Sequence, residues 1–163
     1  MKYCIAILFL LFLGAGAQAQ SVNLPQLINL ATLTNDEAHG YLTQGLPFKM
    51  LYTQNVDGLK IDEYESGNSK TNKETVTIGK GVKTNSGVFL HTMIYTTTQV
   101  RYILSLITQT KRTDLNKIFV GSDATKSIYL YDNVLFTVNF YISIDNSLGT
   151  VEIRQKEFME AEE

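Results

Sequence analysis

The side chains able to carry chemistry are few, and their spacing decides which chemistry is open to them. There are two histidines, His39 and His91, and one cysteine, Cys4. A zinc site needs three or four ligands converging at bonding distance. The lone thiol lies next to the N-terminus, so both histidines would have to meet carboxylates from elsewhere. His39 falls in a mostly polar stretch beside Gly40, and His91 stands between Phe89 and Met93. Two surface or half-buried imidazoles are expected, and no metal. Serines are plentiful, but no Gly-x-Ser-x-Gly elbow presents one as a nucleophile. Gly79-Lys80-Gly81 lacks the phosphate-loop pattern and its following helix, and reads as a turn. Asp62, Glu63 and Glu65 share one extended segment. Strand neighbours alternate in direction, so Asp62 points to one face and the two glutamates to the other. Glycosidase chemistry needs two carboxyls opposed across a sugar, and a solvated strand edge is the plainer reading. Asp57, Asp123 and Asp145 sit at turns, where Asp bonds its own backbone, and no twelve-residue calcium loop is present. No catalytic residue and no cofactor is expected.

Contact is the chemistry that remains. Phe89, His91, Met93 and Tyr95 share one face of a strand, opposite Val88, Leu90 and Ile94. Tyr129 and Tyr131 likewise share a face, opposite Ile128 and Leu130. If Val88, Leu90 and Ile128 face a helix layer, then Phe89, Met93, Tyr129 and Tyr131 point outward. Aromatic residues and methionine are enriched in interface cores, so these four are the candidate binding residues. The competing reading is that the tyrosine face is itself covered, by the other half of the chain or by a second copy.

The elements that must position these side chains follow from periodicity. Asn23 and Pro25 open a helix whose Leu24, Leu27, Ile28 and Ala31 recur at one helical face. Thr34 to Glu37 is a capping box, Ala38, Tyr41 and Leu42 continue the apolar face, and Gly45 and Pro47 end it. From Phe48 the period becomes two. Strands are expected at 48–54, 59–65, 74–80 and 88–95, with turns at Asn55 to Gly58, Ser66 to Lys73 and Gly81 to Gly87. Val100, Ile103, Leu104 and Ile107 return to helical spacing, with Thr97 or Thr98 as the cap and Lys111 and Arg112 at the C-terminal end. Four more strands are expected at 115–120, 127–131, 134–144 and 150–154. The clearest alternation is Val134, Phe136, Val138, Phe140, Ile142 and Ile144, the signature of a strand with one buried face.

Composition agrees with a packed domain. The chain has 163 residues, 44% hydrophobic and 18% charged, which excludes a disordered or collagen-like chain. A formal net charge of −2 argues against a nucleic-acid partner, for which a basic stripe is expected. Residues 1–19 read as a cleavable export signal, with Lys2 as the positive region, Tyr3 to Leu13 as the apolar core, and Ala17-Gln18-Ala19 before the cut. The apolar run is too short to span a bilayer as a helix. No lipid-attachment cysteine follows it, because Gln20 stands at the cleavage point. An exported, periplasmic or extracellular protein with no stable membrane span is expected. Its mature part would carry no thiol, so no disulfide could staple it.

The expected architecture is α+β. It is an antiparallel sheet with helices on one face, divided as 20–96 and 97–155 into two helix-plus-four-strand halves, a candidate tandem repeat, with 156–163 as an acidic tail. The stretch Leu33-Thr34-Asn35-Asp36-Glu37-Ala38, with Leu42 and Gly45 and the strands after it, resembles small exported bacterial proteins with the architecture of the beta-lactamase inhibitor protein. That resemblance implies a helix-loop-helix on a four-stranded antiparallel sheet, often present twice, and a role in protein binding or in cell-envelope assemblies. The present chain lacks the disulfides of the inhibitor protein, and no functional residue transfers. The functional expectation is a non-catalytic module that binds another envelope or secreted protein. The rival readings are a small-molecule carrier and an envelope-directed hydrolase.

Overall fold

The computed structural model describes residues 22–66 and 72–157. The expected signal at 1–19, the tip of the polar loop after Ser66 and the tail beyond Glu157 lie outside the described residues. The order of elements is α1 (Leu24–Leu30), α2 (Asn35–Gly40), β1 (Phe48–Val56), β2 (Leu59–Ser66), β3 (Glu74–Lys83), β4 (Phe89–Thr97), α3 (Val100–Gln109), β5 (Asn116–Ser122), β6 (Lys126–Asp132), β7 (Phe136–Ser143) and β8 (Gly149–Gln155).

Local chemistry starts the first two helices. The Asn23 side chain accepts from the Gln26 N–H, and the Gln26 side chain accepts in return from the Asn23 N–H. Pro25 occupies the first turn of α1, where its missing N–H costs nothing. Thr34 and Glu37 close the same reciprocal box at α2. The hydrogen bonds from the Thr34 backbone and hydroxyl hold the Glu37 carboxyl below its ordinary pKa. After Gly40 the helix widens into a single π turn, Tyr41–Gly45. α3 has no side-chain cap. Thr97, expected there, is still the last residue of β4, and its hydroxyl accepts from the Gln99 N–H. The inward face of α3 is Tyr102, Ile103 and Leu106. Leu104, expected inside, is 48% exposed, because α3 turns Ile103 onto the sheet and a side chain one position on points elsewhere.

The strands form one eight-stranded antiparallel sheet in the order β1-β2-β3-β4-β8-β7-β6-β5. Two four-stranded meanders thus meet along the β4–β8 seam, and the fold is α+β with helices on one face. Aligning the registers gives the inward row Tyr64, Val76, Tyr95, Val151, Phe140 and the partly buried Tyr129, running from β2 across to β6. Beside it runs Met93, Ile153, Val138 and Tyr131. Leu24, Leu27, Leu30, Ala38, Leu42, Ile103 and Leu106 close over both rows in a single cluster. α3 lies directly on β8 at Gly149, where an added Cβ would fall on Ile103. Phe136, Val138, Phe140 and Ile142 are buried as the alternation requires. Val134 and Ile144, expected on the same face, are exposed, because the strand ends at Phe136 and Ser143 and both side chains sit in the hairpin ends.

The polar turns carry their own logic. Asp57 and Gly58 both have positive φ, as a two-residue hairpin turn demands. Asp123 accepts from the Thr125 and Lys126 N–H groups, and Asp145 from that of Ser147. Gly79-Lys80-Gly81, expected as a turn, instead lies inside β3, where the register against β4 shifts between Thr77 and Lys80. Gly79 has φ +91, and a Cβ there would strike the Lys60 carbonyl oxygen. The bulge therefore needs glycine for two reasons. Gly79→Ala is expected to destabilise the protein by about 2 kcal/mol or more, measured as the shift in a denaturant midpoint, while Gly45→Ala, with open space around its Cβ position, shifts it far less.

Both outer strands are also bulged. β1 skips Leu51 between Met50 and Tyr52, and β5 skips Ile118 between Lys117 and Phe119. The two bulges occupy the same place in their meanders.

Candidate binding surface

The ionisable residues were the first candidates for chemistry, and the fold uses most of them as ties. Asp62, expected at a solvated edge, is fully buried on the helix-covered face. Its carboxylate accepts from Asn35 Nδ2 at 2.7 Å and from Thr53 Oγ1 at 2.6 Å, and Lys60 Nζ lies 3.4 Å away. Asn35 Nδ2 also donates to the Lys60 carbonyl oxygen. One carboxylate thus pins the start of α2 to β1 and β2. Burial raises its pKa, but the Thr53 and Asn35 hydrogen bonds and the Lys60 charge outweigh burial and leave it below the ordinary value. Tyr64, beneath α2, faces His39 Nδ1 at 3.3 Å, and burial with the Asp62 and Asp36 charges pushes its phenol up to about 12.

A second buried pair lies nearer the seam. Tyr95 donates to Glu74 Oε2 at 2.7 Å, and burial followed by the Glu74 charge raises the Tyr95 phenol strongly. His91 is half-buried on the covered face, edge-on to Phe89 with ring centroids 4.8 Å apart, and burial lowers its pKa. Its Nδ1 has no hydrogen-bond partner among the described residues. The two histidines sit on different elements with different neighbours. No group of three or more His, Cys, Asp or Glu side chains among the described residues is placed to hold a metal ion.

The expected binding set is overturned in orientation. Met93 and Tyr131 belong to the buried core, and Tyr129 packs against it. Tyr131 meets Phe140 edge-on at 5.7 Å. Phe89, half-buried, shares their face, and its ring lies where a Cβ on Gly81 would go. The cause is register. Tyr129 pairs with Phe140, and Tyr131 with Val138, so the tyrosines share the face that β7 buries. Leu90, Ile94, Ile128 and Leu130, expected against the helices, are therefore on the other face.

That second face is covered by no helix among the described residues. Its central row, read through the registers, is Tyr52, Glu63, Thr77, Ile94, Glu152, Asn139, Leu130 and Phe119. The next row is Lys49, Glu65, Thr75, Thr96, Thr150, Tyr141, Ile128 and Gly121. The β1–β3 side is polar and acidic, while the β4–β7 side carries Ile94, Leu130, Ile128 and Tyr141. Lys126 Nζ stands 4.5 Å from the centre of the Tyr141 ring, within cation–π reach. Burial, then the Glu152 charge, raises the Tyr141 phenol. Thr125, Lys126, Tyr141, Ser143, Leu148 and Thr150 line a depression of about 350 Å³ here. Asn139 is only 9% exposed, and its Oδ1, closed off by its neighbours, has no partner among the described residues. A buried acceptor left unmatched is costly.

No family model, characterised protein or solved structure matches the chain.

The surface could have been found from sequence through one further step. A tight turn between β6 and β7 pairs odd residues of one strand with even residues of the other. The strong even-residue alternation of β7 then fixes the direction of Tyr129 and Tyr131 without any structure.

Proposed function

We infer that the protein is a non-catalytic binding module, exported from the cell, which holds another envelope or secreted protein against the uncovered face of its sheet. The observation that carries this reading is the face itself. It is eight strands wide, and its β4–β7 side combines Ile94, Ile128, Leu130 and Tyr141. Apolar and aromatic anchors are the usual make-up of an interface centre. The weak resemblance to proteins built like the beta-lactamase inhibitor protein points the same way. The carrier and hydrolase readings draw less support. The carboxyls held below their ordinary pKa, Glu37, Asp62, Asp123 and Asp145, each take up hydrogen bonds from a cap, a tie or a turn.

The test is capture of partners from the native envelope by the immobilised chain from residue 20 onward, which contains every described residue. Tyr141→Ala and Ile128→Asp are expected to weaken capture by about tenfold or more and to leave the thermal midpoint nearly unchanged. Undiminished capture by both folded variants would move the contact off this face. A measurable turnover that survives both variants would replace binding by catalysis.

A further inference from the structure

We propose that the helix-covered side of the sheet holds a second site, a pocket for a small amphiphile with a carboxylate head, between the end of α3 and the strands β5 and β6. Its origin is an asymmetry between the two halves. In the first half α2 and the π turn after it pack on β3 and β1, so helical turns reach as far as the edge strand. In the second half α3 packs on β4, β7 and β8, and the inward side of the β5 edge is left open. Val120 on β5 pairs with the inward Tyr129 and is still 52% exposed.

A cavity of about 450 Å³ lies in that opening, lined by Ile107 on α3, Lys111 in the turn after it, Leu115 in the connection to β5, Lys117 on β5 and Tyr131 on β6. Its volume is in the range of small-molecule sites. Tyr131 is 8% exposed, yet its hydroxyl has no partner among the described residues, whereas a buried phenol ordinarily finds one. Lys111 and Lys117 arrive from different elements, and neither makes an ion pair among the described residues. No carboxyl lines the cavity. Asp114, the acid nearest in sequence, accepts instead from Asn133 Nδ2 at 2.9 Å.

Lys111 alone would be explained by the end of α3, where a cation suits the helix dipole. That does not account for Lys117, which sits on β5 and makes no side-chain hydrogen bond among the described residues. Two ammonium groups and a phenol are three donors, and the two oxygens of one carboxylate can accept from all of them. Ile107, Leu115 and the Tyr131 ring are apolar and suit a hydrocarbon chain. A nucleotide or a sugar, polar along its length, would leave its hydroxyls unmet against these walls. The site lies on the opposite side of the sheet from the proposed protein-contact face, so the two can be tested separately.

Equilibrium dialysis of radiolabelled decanoate, kept below its micellar concentration, against the chain from residue 20 onward tests this. A single site is expected, with a dissociation constant of the order of 100 μM. Lys111→Glu and Lys117→Glu are each expected to weaken binding about tenfold or more, while Lys83→Glu on β3 leaves it unchanged. Tyr131→Phe keeps the ring and removes only the hydroxyl, and is expected to weaken binding about fivefold. Decyltrimethylammonium, with the same chain and the opposite charge, is expected to bind about tenfold or more weakly. Thermal melts confirm that the variants fold; if Lys117→Glu does not, Lys117→Gln serves in its place. Equal binding of the two amphiphiles overturns the proposal, because the lysines would then select nothing. So does decanoate binding that survives both lysine variants, or no binding up to about 5 mM.

Discussion

Phe140→Ala is expected to lower the free energy of unfolding by about 3–5 kcal/mol. Phe140 is fully buried in β7, paired with Val151 on one side and Tyr129 on the other, and edge-on to Tyr131. Truncation removes the transfer energy of the ring and leaves a cavity bounded by strand backbones that cannot collapse into it. The neighbouring Tyr141, on the uncovered face, is the control: Tyr141→Ala is expected to cost far less in a urea titration. Equal losses at the two positions would mean that the helices cover both faces. Tyr131→Ala belongs with Phe140→Ala, because Tyr131 is core and not surface.

Asp62→Ala is expected to cost about 3 kcal/mol, unusual for loss of a carboxylate. The substitution removes the acceptor shared by Asn35 Nδ2 and Thr53 Oγ1, and hydrogen bonds to a charged group contribute about 1.5–3 kcal/mol each. The Lys60 contact adds little, since the Lys60 side chain is half exposed. The pH dependence has a definite sign. The folded pKa of Asp62 lies below its ordinary value, so the unfolded chain takes up the proton first. The stabilisation is complete above the unfolded value of about 4 and is lost as the pH falls through the folded one. Wild-type unfolding energies measured from pH 6 down to pH 2 should therefore drop more steeply than those of Asp62→Asn. Parallel curves would mean that the tie contributes nothing. Glu63→Ala, one residue on and facing the open side, is expected to change stability by less than about 1 kcal/mol.

These two residues mark what could and could not be read in the sequence. Helix starts were legible because a cap is a local affair: Asn23 with Gln26, and Thr34 with Glu37, need no knowledge of the rest of the chain. The buried face of β7 was legible because six alternating positions leave little choice of period. The direction of β4 and β6 was not, because both of their faces are apolar. Periodicity says that Tyr131 and Leu130 oppose each other, but not which one meets the helices. For β4 that sign comes from pairing with β8, a non-local fact; for β6 it comes from the hairpin with β7, which periodicity within β6 does not contain. Asp62 was misplaced for the same reason. Its alternation against Glu63 was correct, but the Asn35 that stabilises its burial arrives from a helix far away in sequence. The Gly79 bulge was hidden because a glycine pair reads as a turn unless the strand on both sides is known to continue.

The seam between the meanders has a consequence for how the chain is made. β8 is the last of the described strands to be synthesised, yet it sits in the middle of the sheet, fifth from the β1 edge and fourth from the β5 edge, between β4 and β7. It supplies Val151 and Ile153 to the core and the floor on which α3 rests. Until it leaves the ribosome, β4 and β7 are both raw edges, and no amount of waiting lets the earlier strands finish the core. The core therefore closes only once Gly149–Gln155 has been made and inserted. A chain truncated just short of Gly149 would carry two meanders with nothing to join them.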